Sequence, residues 1–208
     1  MNSNKLNGNL PPEVRAVKEK LRELIRHAAL SRLKNHADAS EIEVREMDSG
    51  FTPGKILASN MVFILVSGDA LRITFKVHFN TRMAKKLAFR IFGGMSAEDI
   101  SEKQAIDYFK EYGNLVAGSV ITHFGNFGVE LGISLPLCTR GFYEVFSDYS
   151  ETQFPVVTYS DFWELAANDF SLSCSALIEI LDVAKLGRLI DYEIDEATAD
   201  DGEEMDFL

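Results

Sequence analysis

The chain has 208 residues, 46% of them apolar and 25% charged, with a formal net charge of −11. That length favours one domain or two small ones, and the composition suits a globular protein able to bury a core. The longest unbroken apolar run, Met61–Val66, is far short of the roughly 20 residues of a membrane-spanning helix. The acidic balance argues against nucleic-acid binding.

Residues 1–11 read as a polar leader without an apolar targeting segment. Cys138 and Cys174 form no C-x-x-C pair and no disulfide framework, so a reducing cytoplasm is the expected compartment. The charge is unevenly spread. Nine Asp or Glu and no Lys or Arg lie between Asp191 and Leu208, and subtracting that −9 from −11 leaves −2 for the first 190 residues. The segment 191–208 therefore reads as an acidic tail with too little apolar surface to order itself, tipped by Met205, Phe207 and Leu208. The predicted organisation is this leader, a single domain over 12–190, and this tail.

Pro11-Pro12 suits the start of a helix. Val14, Val17, Leu21, Leu24, Ile25 and Ala28 recur at three and four, predicting an amphipathic helix over 12–35 with a basic, solvated outer face that includes Arg22 and Arg26. A short strand is expected at 42–47, followed by turns at Asp48-Ser49-Gly50 and Pro53-Gly54. Met61–Val66 and the alternating run Leu71–Phe79 form a hairpin through Ser67-Gly68-Asp69. In that alternation Lys76 and His78 fall on the polar face. Residues 83–92 predict a helix stopped by Gly93-Gly94. Ser101 and Gln104 form a capping box for a helix to about Phe124, with a core-facing arc of Ile106, Phe109, Gly113, Val116, Val120 and Phe124. Residues 127–135 alternate again and predict a strand with a nearly bare second face, ended by Pro136. A second hairpin joins 156–165 to 170–180 through Ala167-Asn168-Asp169, and a residual strand is considered at 142–146. Hairpins with interspersed helices point to an α+β fold, a mostly antiparallel sheet of about six strands with three main helices packed on it.

The familiar catalytic signatures are missing. His27, His36, His78 and His123 are scattered without zinc-ligand spacing, and solvent-facing positions are expected for His78 and His123. There is no nucleophile elbow and no P-loop. One constellation stands out. Asp107, Glu111, Asn114 and Gly118 lie at i, i+4, i+7 and i+11 of the predicted helix 101–124, within an arc of about 60°. E-x-x-N alone is a weak signal. Here Asp107 precedes it by one turn, and Pro136 follows Asn114 by twenty-two positions at the end of an alternating strand.

This Asp-x3-Glu-x2-Asn pattern with its spaced proline resembles the signature of the CheC/CheX chemotaxis phosphatases. The surroundings fit too: the first hairpin, the helix ending Phe92-Gly93-Gly94, then Ile133-Ser134-Leu135-Pro136 and a turn at Gly141. The resemblance covers about Ser49–Asp182. A second E-x-x-N is absent, so the chain is similar to the single-site CheX type. The resemblance implies hydrolysis of the aspartyl phosphate on a CheY-like response-regulator receiver. Asn114 would hold the attacking water and Glu111 would pair with the receiver's lysine. Asp107, Gly118 and Pro136 would have orienting or shape roles. No cofactor of its own is implied, Mg2+ being supplied by the receiver; a homodimer is an analogy from single-site relatives. The alternative is a non-catalytic adaptor that binds a receiver, or another signalling protein, through the same helix.

Overall fold

The computed structural model describes residues 10–37, 41–47, 58–140 and 156–194. The expected turns at 48–54, the residual strand at 142–146, the turn at Gly141 and most of the leader and tail lie outside these. Helix α1 spans Pro12–His36 with Pro12 in its first turn. Strand β1 is Glu43–Glu46, β2 Asn60–Ser67 and β3 Leu71–Phe79. Helix α2, Thr81–Phe92, opens where the Asn80 side chain accepts the Met83 N–H and closes at Gly93, whose φ of 70° suits glycine. Helix α3, Glu102–Asn126, starts at the Ser101–Gln104 capping box. Strands β4, Gly132–Ile133, β5, Leu137–Arg140, β6, Val157–Ala166, and β7, Ser171–Ile180, complete the sheet.

All strand pairs are antiparallel. The order is β1-β6-β7-β3-β2-β4, with β5 also paired to β2, a seven-stranded sheet. The α+β class and both hairpins are as predicted. The odd-numbered residues of β3 face the helices: Phe79 stacks on Phe109 of α3 with centroids 4.3 Å apart, and Phe75 meets Tyr112 edge-on at 6.2 Å. Across the helix layer, α1 lies beside α3. The Tyr112 hydroxyl donates to the Ala29 carbonyl at 2.7 Å.

Four expectations are corrected. First, the predicted strand 127–135 shrinks to β4. Phe127 and Val129 are buried, but Gly128 has φ 82° and breaks the extended run. Second, Pro136 does not end the pairing. It sits between β4 and β5, which continue along the same partner, since Val66 faces Ile133 and Phe63 faces Leu137. Two residues of β2 therefore oppose three on the edge, a bulge. There Ser134 N–H donates to the Leu65 carbonyl at 2.8 Å, and its hydroxyl accepts the Leu65 N–H at 3.0 Å. Third, Lys76 and His78 are buried, as is His123; His78 Nε2 lies 3.0 Å from the Ser175 hydroxyl, and His123 Nδ1 lies 2.9 Å from that of Tyr192. Fourth, Arg22 and Arg26 of the basic face converge on the buried Asp161 of β6, with Nε contacts of 3.0 and 2.8 Å, instead of facing water alone.

Burial also moves two histidines far from their ordinary pKa. His36, stacked on Tyr108 at 4.4 Å, is pushed down to about 4 by burial. His78 is pushed down to about 4 by burial and the Lys76 charge. The unfolded chain protonates both near 6.5. Their contribution to stability is therefore complete above about pH 6.5 and is lost as pH falls toward 4, each with a slope of up to about 1.4 kcal/mol per pH unit. Urea midpoints measured from pH 7.5 to 4 are expected to fall through this window. His36→Phe, which retains a ring against Tyr108, is expected to flatten the fall; an unchanged slope would show that His36 is not a titrating group.

Candidate functional site

α3 is closed in on most of its circumference. Ala105, Tyr108, Phe109, Tyr112, Gly113, Val116, Ala117, Val120 and Phe124 are all buried. The arc predicted as core is rotated: Ile106 is only half-buried, while Tyr108 and Tyr112 are fully buried. The reason is the position of α1, which covers a second flank of α3 in addition to the one on the sheet. Gly113 faces β2, where a Cβ would lie 3.6 Å from Val62. Two tyrosines at i and i+4 in a helix were the available signal for this second contact. Their hydroxyls require partners when buried, and α1 supplies carbonyls, Ala29 for Tyr112 and, more loosely, His36 for Tyr108 at 3.5 Å.

What remains outward is the polar stripe. Asp107, Glu111, Asn114 and Gly118 are all half-exposed. Glu111 and Asn114 are held together: Asn114 Nδ2 donates to Glu111 Oε2 at 3.3 Å. That bond turns the Asn114 carboxamide so that its oxygen is directed away from the Glu111 carboxylate. Asp107, one turn toward the N-terminus, instead faces Lys110 at 3.9 Å. For Gly118, one turn toward the C-terminus, a built Cβ has no atom of the described residues within 4 Å beyond the adjoining helix backbone. Pro136 is on another element, half-buried in the edge bulge between β4 and β5.

The β5 edge borders the first half of α3. Arg140 pairs with Glu102 at 2.8 Å. The Cys138 thiol is pushed up by burial, with the Lys110 and Arg140 charges acting against it, so it is no activated nucleophile. Ile133, Leu135 and Leu137 along this edge are 48%, 83% and 55% exposed. Among the described residues no group of three or more His, Cys, Asp or Glu is arranged to hold a metal ion, and no helix is long and apolar enough to cross a membrane.

The architecture thus defines a class: an antiparallel α+β sheet layered with helices, one of which presents an acid–amide pair. The model of the family Chemotaxis phosphatase CheX matches residues 61–158, a span that includes all five singled-out positions. Solved structures share the fold. CheX from Vibrio vulnificus is 13% identical with a TM-score of 0.56, over 76% of this chain and 95% of that one. A chain of the CheX–CheY–BeF3–Mg2+ complex from Borrelia burgdorferi is 16% identical with a TM-score of 0.57, over 76% and 97%. Thermotoga maritima FliY is 17% identical with a TM-score of 0.52, over 88% and 98%. No curated protein matches significantly by sequence. Residues 61–158 thus match the CheX family model, and the described fold is shared with CheX and CheC-like proteins.

Because Glu111 and Asn114 are half-exposed and bonded mainly to each other, Asn114→Ala and Glu111→Ala are expected to shift unfolding free energy by no more than about 0.5 kcal/mol. Tyr112→Phe, which removes the hydrogen bond to α1, is expected to cost about 1 kcal/mol. Urea denaturation distinguishes the two groups, and a loss of several kcal/mol for Asn114→Ala would mark that side chain as structural.

Proposed function

We propose that this protein is a cytoplasmic phosphatase of CheY-like receiver domains, acting on the receiver's aspartyl phosphate through α3. The observation that carries the reading is the Asn114–Glu111 pair, fixed at 3.3 Å on the outward strip of an otherwise buried helix.

Hydrolysis of an aspartyl phosphate needs a water oxygen to attack phosphorus in line as the bond from phosphorus to the aspartate oxygen breaks. The carboxylate leaves and inorganic phosphate is released. Phosphoryl transfer of this kind depends on positioning and charge neutralisation far more than on covalent help. The receiver supplies Mg2+ and a lysine for the developing charge. Mg2+ in the Borrelia CheX–CheY complex supports that division of labour.

Asn114 contributes the water's orientation. One Nδ2 hydrogen is donated to Glu111, and the carboxamide oxygen is the group that accepts a hydrogen bond from water and points the water's lone pair at phosphorus. A carboxamide does this without titrating. Glu111 has a second oxygen for the receiver's lysine and so sets how deeply α3 inserts. Asp107 would orient the approaching surface one turn away, Gly118 would admit it, and Pro136 would hold the edge strand in shape. A hundredfold acceleration requires about 2.7 kcal/mol, within the reach of orientation on a rigid helix.

The fold shared with CheX and FliY at 13% and 17% identity does not by itself separate catalysis from a second reading, an adaptor that binds a receiver or another signalling protein. It takes the same helix as a non-catalytic receiver-binding surface. Phosphate release from a phosphorylated receiver distinguishes the two. Asn114→Ala is expected to abolish acceleration while binding to the receiver largely survives, and Glu111→Lys to weaken both. Equal release rates with wild type and Asn114→Ala would favour the adaptor.

A further inference from the structure

Glycine inside a helix is unfavourable, so it calls for a reason. α3 contains three. Gly113 faces β2 and lies in contact range of Val62. Gly125 belongs to the last turn, where its carbonyl accepts the Gly128 N–H at 3.0 Å and the helix is closing. Gly118 has neither reason. It is well inside the helix, it is half-exposed, and beyond the adjoining helix backbone a Cβ there meets nothing among the described residues within 4 Å. Its φ is helical, so any L-residue can adopt the backbone. The next side chain along the stripe does not fill the space either, because the Thr122 hydroxyl folds back to donate to the Gly118 carbonyl at 3.0 Å.

The packing of the described residues therefore gives no cause for the missing side chain, while its place does. Gly118 lies one turn beyond Asn114 on the same strip. Resting on the function proposed above, we infer that Gly118 is a specificity-determining residue: its bare surface lets the receiver's polypeptide come close to α3, and that closeness sets the depth at which the Asn114 carboxamide meets the phosphoryl group. Asn114 has a short side chain and cannot reach across a widened gap. A side chain at 118 would act as a spacer between the two proteins, and a displacement of about 1 Å is enough to lose a factor of about a hundred in an orientation-dependent step.

The test uses the full chain carrying Gly118→Ala or Gly118→Leu, a panel of CheY-type receivers phosphorylated with acetyl phosphate, and the same receivers carrying BeF3− and Mg2+ for binding. The free protein is expected to gain thermal stability with Gly118→Ala, by roughly 2–4 °C in Tm, and not to lose it with Gly118→Leu. Turnover is expected to move the opposite way, falling about tenfold for alanine and about a hundredfold for leucine, with weaker binding for leucine. A structural role for Gly118 would instead lower Tm and turnover together, and that result overturns the inference. So does a Gly118→Leu protein that turns over like wild type, an outcome that leaves the phosphatase reading standing. A wild-type chain that accelerates phosphate loss from no receiver in the panel defeats both.

Discussion

The constraint on which the rest depends is the double anchoring of α3. Below it, the helix lies on β2 and β3, with Phe109 stacked on Phe79 at 4.3 Å. Beside it, the Tyr112 hydroxyl reaches a carbonyl of α1 at 2.7 Å. Two contacts on different sides of a cylinder fix its rotation as well as its position. An acid–amide pair on the remaining strip then has a defined direction without any ordering cost at the moment of encounter. Loss of either anchor would leave the same side chains present but free to roll.

Much of this was readable in the residues. Strict alternation over Leu71–Phe79 located a strand and its inner face, and Ser101 with Gln104 located the start of α3. The Asp107–Glu111–Asn114 spacing was legible because a helix converts sequence distance directly into angle. The failures share a cause. Periodicity shows which face of an element is apolar, but not whether a polar face is covered as well. His78 and Lys76 occupy the polar side of β3 and are buried. Tyr108 and Tyr112 hold polar atoms, and α1, far away in sequence, supplies the carbonyls that let them be buried. Residues 127–135 alternate because Phe127 and Val129 tuck under the rim of the core, and a turn at Gly128 can produce that pattern without a strand.

Fold and chemistry separate cleanly here. The same arrangement of strands and helices occurs in CheX from Vibrio vulnificus and in Thermotoga maritima FliY at identities of 13% and 17%. At such distances a fold can be shared without a shared function, and function depends on the site each chain carries. On the proposed reading those are the two polar groups at 111 and 114 and the absence of one at 118. None of the three lies in the buried core, which is why each is expected to be changeable with little effect on the fold.

The structure of this protein bound to a receiver carrying BeF3− and Mg2+ tests the central claim most directly. The account predicts α3 inserted at the receiver's phosphorylation site, with the Asn114 carboxamide in hydrogen-bond reach of the BeF3− group or its in-line water and Glu111 on the receiver's lysine. A receiver seated elsewhere, with Glu111 and Asn114 facing solvent, would contradict it.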